Sequence, residues 1–320
     1  MKIQIKIKRF NPSEGESSEP YIQAYNVKAA AGMSILEALL KIAEEEDPTL
    51  GFRRSCRSAI CGSCAVKING FSKLACKTQI IPEYKKQGAL LIEPLANYPV
   101  LKDLIVGFDR FWNNMGKVTP YLTPAAGALH MEKITKEDAD RIDSSQKCIM
   151  CGSCNSECNA LEIDSHYIGP SALAKAWRFV GDVREGAPEK RLRRMSAEHG
   201  MWDCVRCVHC TQYCPKQVAP LKQIERLRSG AIKKGLHDNP GAKHVLSMSN
   251  SIKRVGRLDE AAMTFKTLGF LRSLGMIPFG IKMEIHGKMP KPLIFSQIGG
   301  IDEVKKIYEE IEGAEAEEKK

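Results

Sequence analysis

Alternation of period two opens the chain. Ile3, Ile5 and Ile7 are spaced by polar residues as far as Phe10, and a second alternating run covers Tyr21–Lys28. Both patterns predict half-buried β-strands, and the Pro, Gly and Ser residues of 11–20 predict the turn that pairs them antiparallel. Ser34 stands three residues before Glu37 as a capping-box pair. Ile35, Leu36, Leu39, Ile42 and Ala43 then lay one apolar stripe at helical spacing, closed by Asp47-Pro48. Short strands are predicted at Ala65–Ile68, Leu74–Thr78 and Leu90–Ile92, around an Asn69-Gly70 turn. Further on the period changes. Leu104, Ile105, Phe108, Phe111 and Trp112 make one face of a bridge that breaks over 120–127. Ala172, Ala176 and Phe179 after Gly169-Pro170, and Leu221, Ile224 and Leu227 after Pro220, repeat as helices do.

From residue 260 apolar side chains become dense: Phe265, Leu268, Phe270, Leu271, Leu274, Met276, Ile277 and Phe279, interrupted by Arg272, Pro278 and Lys282. The expectation is ordinary packing against the helical region, the alternative a docking surface for a membrane-associated partner. Glu309–Lys320 is expected to be a solvated acidic tail. The pattern thus predicts an α+β chain: a β-rich domain over 1–105, a bridge over 106–145, a helical domain over 146–260, and a C-terminal extension over 261–320.

Composition narrows the function classes. A chain of 320 residues is long enough for about two cores, and 43% apolar content excludes a disordered protein. No run of 18 apolar residues exists to cross a bilayer. The alternating N-terminus is not a signal-peptide core, which argues against independent export. The net charge of +10 raises nucleic-acid binding as a reading. The basic residues are spread along the chain, however, apart from Arg53–Arg57 and Arg191–Arg194, and no aromatic residues interleave with them as base-stacking platforms would. No nucleic-acid partner is expected. Attraction to anionic lipid or to an acidic partner explains the charge equally well.

All 12 cysteines fall into three groups of four. Cys56, Cys61, Cys64 and Cys76 are spaced C-x4-C-x2-C-x11-C. Cys148, Cys151, Cys154 and Cys158 follow C-x2-C-x2-C-x3-C, and Cys204, Cys207, Cys210 and Cys214 repeat that spacing before Pro215. Disulfides are disfavoured because neighbouring cysteines point into one small volume. Zinc uses paired ligands, whereas here three cysteines crowd into seven residues, twice. Compact loops of three thiolates suit cubane corners, and the first array matches the plant-type 2Fe–2S loop at its first three positions. In two-cluster runs of this spacing the fourth cysteine ligates the other cluster. The expected sets are therefore Cys56, Cys61, Cys64 and Cys76 for 2Fe–2S; Cys148, Cys151, Cys154 and Cys214 for one 4Fe–4S cluster; and Cys158, Cys204, Cys207 and Cys210 for a second. Arg53, Arg54 and Arg57 are either a solvated loop or a cationic offset to the first cluster, and Gly62 lets backbone N–H groups approach the sulfurs. No general acid–base pair or nucleophile–base constellation stands out, so no catalytic residue is assigned.

The arrangement of strands, helix and strands around a four-cysteine loop is that of a β-grasp plant-type ferredoxin domain, and the helical region resembles an α-helical bacterial-type ferredoxin domain. The whole resembles the iron–sulfur subunit of succinate dehydrogenase and fumarate reductase. Ser55–Ala65 (SCRSAICGSCA), the return over Asn69–Cys76, Pro99–Val106 (PVLKDLIV), Tyr167–Pro170, Trp177–Phe179 and Cys214–Lys216 carry the likeness. It implies an electron-transfer subunit linking the FAD of a flavoprotein partner to membrane quinone. Well-studied members lack a cysteine at the position of Cys207 and hold 3Fe–4S there. Cys207 therefore implies a second 4Fe–4S cluster, as in non-classical members with a cysteine-rich subunit in place of a membrane anchor. Asn159–Ile163 and Val205 lack the family's quinone-site Trp and His, so those roles are not carried over. His166, His209 and Tyr213 are the remaining polar aromatic candidates, with packing as their bland reading. The implied location is peripheral to a membrane, on the cytoplasmic face or, by co-export with a partner, the periplasmic one. A thiol-linked fumarate reductase or heterodisulfide-reductase-like complex is the alternative.

Overall fold

The structure is a computed structural model describing residues 1–14, 19–124, 134–288 and 297–317. The expected turn over 11–20, the break over 120–127 and the last residues of the acidic tail lie partly outside these. The chain divides into two compact units, Met1–Ala231 and Ile232–Lys320.

In the first unit β1 (Lys2–Arg9) and β2 (Tyr21–Lys28) pair antiparallel, Ile3 facing Val27 and Ile7 facing Gln23. Ile3, Ile5 and Ile7 are wholly buried, as the alternation requires. Helix α1 (Ile35–Glu45) starts from the Ser34–Glu37 capping box and buries Ile35, Leu36, Leu39 and Ile42 on that sheet. Strands β3 (Ala65–Ile68), β4 (Phe71–Leu74) and β5 (Leu90–Glu93) complete a five-stranded sheet of order β2-β1-β5-β3-β4, with β1 and β5 parallel. Helix α2 (Ile80–Gln87) precedes β5.

Two expectations need correction here. The return strand is Phe71–Leu74, not Leu74–Thr78. Asn69 and Gly70, both at positive φ, make a two-residue turn, so Phe71 pairs at once with Ile68. The strand therefore ends at Leu74, and the chain turns through Cys76. Leu104 and Ile105, expected to make one face of the bridge with Phe108, Phe111 and Trp112, do not lie on one element with Phe111. They lie in and beside a small hairpin of β6 (Val100–Lys102) and β7 (Ile105–Val106), ahead of α3 (Asp109–Lys117).

Helices α4 (Lys136–Gln146), α5 (Ser153–Ser156), α6 (Asn159–Ile163), α7 (Pro170–Val180), α8 (Pro188–Met195), α9 (His209–Gln212) and α10 (Pro220–Lys233) follow. Pro at the start of α7, α8 and α10 fits a first turn that needs no N–H. The two cysteine-rich regions are joined through α5. Ser72 donates from N and Oγ to the buried Glu157 carboxylate, Asn97 Nδ2 donates to the carbonyls of Asn155, Ser156 and Cys158, and Phe71 stacks on Tyr213 at 4.7 Å.

In the second unit α11 (Pro240–Val255) packs on α12 (Glu260–Leu268) and α15 (Ile301–Glu317), and Lys253 pairs with Glu312 at 2.7 Å. The expected acidic tail is thus helical as far as Glu317. Short helices α13 (Phe270–Leu274) and α14 (Ile277–Ile285) lie between. Their apolar side chains, expected to be packed away, are exposed.

Candidate cluster-binding centre

The first cysteine loop wraps its sulfurs in backbone N–H groups. Cys56 Sγ accepts from Ser58, Ile60 and Cys61 at 3.2–3.4 Å, and Cys76 Sγ accepts from Ala59 at 3.3 Å. Arg57, Ala59 and Gly62 at positive φ turn those N–H groups inward. Hydrogen bonds of this kind favour the thiolate. The Ser63 side chain draws the Cys61 thiol down to about 6, while burial pushes Cys64 up to about 12. Arg53 lies over the Phe108 ring and Arg54 over Phe52; with Arg57 they are exposed.

Gly62 has a role the sequence did not disclose. A Cβ there would lie 2.6 Å from Cys151 Cβ and 2.9 Å from its Cα. The first cysteine loop and the Cys148–Cys158 loop thus touch, with room for a hydrogen only. Beside this contact, a cavity of about 260 Å³ is lined by Arg53, Cys61, Phe108, Trp112 and Cys151 among others.

Sulfurs distant in sequence converge. Cys148, Cys151, Cys154 and Cys214 line one small cavity. Cys154 is pushed well above the ordinary thiol range by burial, then by the neighbouring charges of Cys148, Cys151, Cys210 and Cys214. Around Cys158 the charged neighbours are Cys204 and Cys207; around Cys210 they are Cys204, Cys158 and Cys207. Burial raises the Cys158 thiol to about 11 and Cys210 to about 12. Thiols crowded like this ionise readily only when bonded to a cation.

The surroundings of Cys158, Cys204 and Cys210 fit an anionic iron–sulfur group. Tyr167 is 1% exposed, its hydroxyl has no hydrogen-bond partner among the described residues, and Cys204, Cys158 and Cys210 are its charged neighbours. A buried hydroxyl without a partner is costly; a cluster sulfur would accept from it. Arg228, also buried, donates to the carbonyls of Met201, Trp202 and Cys204 and meets no carboxylate at bonding distance among the described residues. Its positive charge lies beside Cys204. Neither residue is marked by sequence spacing, since both roles arise from tertiary placement.

Other candidates sort differently. His209 and Tyr213 pack edge-on at 6.1 Å, Tyr213 against Phe71. His166 and His199 each approach Asp164 through Nδ1 at 3.0 Å. In the Arg191–Arg194 run, Arg191 is buried, bound to Glu185 at 2.9 Å and to the carbonyls of Val118, Thr119 and Tyr121. It belongs to the fold's interior.

Comparison with known proteins agrees with this geometry. Residues 4–113 match a family described as a 2Fe-2S iron-sulfur cluster binding domain, and residues 144–218 one described as a 4Fe-4S dicluster domain. The chain is 35% identical to the 8-methylmenaquinol:fumarate reductase iron-sulfur subunit of Wolinella succinogenes, across 89% of this chain and 91% of that one. It is 37% identical to the succinate dehydrogenase iron-sulfur subunit of Paracoccus denitrificans, across 70% and 86%. Among solved structures, a chain of the Mycobacterium smegmatis Sdh1 complex in the apo form shares the fold, with a TM-score of 0.60 at 22% identity, across 73% of this chain and 97% of that one. Three cysteine tetrads, two cluster-binding domains in this order and relatives matched over most of their own length together make this chain a member of the iron–sulfur subunit family of succinate dehydrogenases and fumarate reductases, with an electron-transfer role.

Proposed function

We propose that the chain passes electrons one at a time between the FAD of a flavoprotein subunit and membrane quinone, as a peripheral subunit of a succinate- or fumarate-linked complex. The observation that carries this reading is the contact of Gly62 with Cys151, which supports a row of centres close enough to exchange electrons. Bound iron–sulfur clusters would supply the one-electron carriers. Cys56, Cys61, Cys64 and Cys76 would hold the first, Cys148, Cys151, Cys154 and Cys214 the second, and Cys158, Cys204, Cys207 and Cys210 the third. The cavity shared by Cys148 and Cys214, and the charge neighbours of Cys158, support this exchange of fourth ligands. It ties two distant loops into one folding unit.

Cys207 completes the third tetrad, so a second 4Fe–4S centre is proposed there instead of 3Fe–4S. The backbone N–H groups around Cys56, and Arg228 and Tyr167 at the third tetrad, offset negative charge and so raise the corresponding potentials. A cysteine-rich or membrane-anchor subunit would complete the complex; among the described residues no helix is long and apolar enough to cross a membrane.

Cys207→Ser tests the ligand sets. The variant, loaded anaerobically, is expected to show a 3Fe-type signal from the third tetrad only. A change confined to the cluster of Cys148, Cys151 and Cys154 would overturn the exchanged ligation. The loaded chain alone is expected to oxidise no succinate; turnover without a flavoprotein would overturn the electron-carrier role.

A further inference from the structure

The second unit carries a surface that the electron-transfer role does not use. Over residues 265–285 the side chains of α12–α14 leave Phe270 69%, Leu271 83%, Phe279 56%, Ile281 53% and Ile285 77% exposed. No side chain of α14 is buried. Soluble surfaces scatter such residues singly, whereas a contiguous patch marks a docking face. Ile277, Phe279, Ile281 and Ile285 of α14 are exposed side by side with Lys282, so the helix presents apolar and cationic side chains to one surrounding. At nine residues α14 is too short to span a bilayer. Between the helices, a groove of about 360 Å³ is lined by Phe265, Met276, Ile277, Phe279 and Met283.

Charge selects the occupant. The lysines and arginine of residues 260–288, Lys266, Arg272, Lys282 and Lys288, are all exposed, while the two acids of that stretch, Glu260 and Glu284, are half-buried. Water therefore sees apolar side chains set among cations, the pattern of a segment that lies in the headgroup layer of an anionic membrane. A protein partner would need a matching acidic rim around an apolar socket; a bilayer with anionic headgroups offers both at once. We propose that residues 265–288 dock the chain onto an anionic lipid surface, Phe270, Leu271 and Phe279 entering the acyl boundary and Lys266, Arg272, Lys282 and Lys288 meeting lipid phosphates. This rests on the membrane location proposed above and adds a lipid contact made by this chain itself.

The test is anaerobic flotation of the full, cluster-loaded chain with vesicles of phosphatidylcholine alone or mixed with phosphatidylglycerol. Binding is expected to the mixed vesicles, weakening as salt rises. Phe270→Asp with Leu271→Asp is expected to lower partition at least about tenfold, because burial of each large apolar side chain is worth about a decade or more. Lys282→Glu with Lys288→Glu is expected to abolish the preference for phosphatidylglycerol. All four positions are exposed, so the variants keep their fold, which circular dichroism checks. No flotation with phosphatidylglycerol at low salt, or flotation unchanged by both double variants, would overturn the proposal and leave the face to a protein partner. Iron content and cluster spectra of the same samples report the electron-transfer reading independently.

Discussion

Replacing Gly62 by alanine tests the contact on which the proposed electron path rests. Gly62 sits at φ +76°, and its new Cβ would fall 2.6 Å from Cys151 Cβ, 2.9 Å from Cys151 Cα and 3.2 Å from the Ile149 carbonyl. Two of those three are main-chain atoms, so no side-chain rotation relieves the clash. The left-handed backbone costs an alanine about 1–2 kcal/mol, and the crowding adds about 1–3 kcal/mol. Gly32 provides the control. It has φ +79° with nothing within 4 Å of a built Cβ, so Gly32→Ala bears the backbone cost alone. At ~3 °C per kcal/mol for a unit of this size, Gly62→Ala should lose about 10 °C and Gly32→Ala about 4 °C. Anaerobic heating at one scan rate, followed by loss of visible cluster absorbance, measures both. Equal losses would refute the apposition of the two loops, and with it the short path between the first and second centres.

Two other substitutions probe separate parts of the account. Tyr167→Phe removes the partnerless hydroxyl while keeping the ring, and a redox titration by EPR should show the midpoint of the third centre alone falling; unchanged potentials would contradict the donor role. Asp47 links Arg9, Tyr25 and Thr49, and although burial opposes ionisation, hydrogen bonds from Thr49, Tyr25 and Arg9 hold its carboxyl well below the ordinary range. A depressed folded value means stability that is present above the unfolded value near 3.9 and lost as pH falls through the folded one. Asp47→Asn should therefore cost about 2 kcal/mol near neutrality and flatten the acid side of the stability profile below about pH 4. A parallel profile for both proteins would refute this linkage.

Local rules made much of the fold legible. The capping box at Ser34, the alternation of Ile3, Ile5 and Ile7, and the Asn69-Gly70 turn each act over a few residues, and each appears as expected. Helix α2 escaped because its N-cap, Gln79, makes no side-chain cap hydrogen bond and Pro82 stands within it. The signal that could have found it was Gly88, left-handed at its end. Arg191 looks solvated beside Arg193 and Arg194 in sequence, yet its guanidinium satisfies carbonyls some seventy residues away. The apolar run after 260 offered no local clue to its exposure, since density of apolar residues looks the same for a core and for a docking face.

Cysteine spacing carried the candidate site, because thiolates in short loops have few other uses. What it could not convey is how the tetrads meet. Gly62 against Cys151, Arg228 behind Cys204 and the buried Tyr167 hydroxyl all depend on chain segments brought together by folding.

Iron and acid-labile sulfide analysis of the chain loaded anaerobically, with low-temperature EPR on the same sample, counts and types the clusters the tetrads hold. Three tetrads holding 2Fe–2S and two 4Fe–4S clusters predict about 10 iron atoms per chain and no 3Fe–4S signal before oxidation. About 9 iron with a 3Fe–4S signal in that sample would contradict the role of Cys207, and a colourless zinc-bound or disulfide-bonded chain would contradict the electron carrier itself.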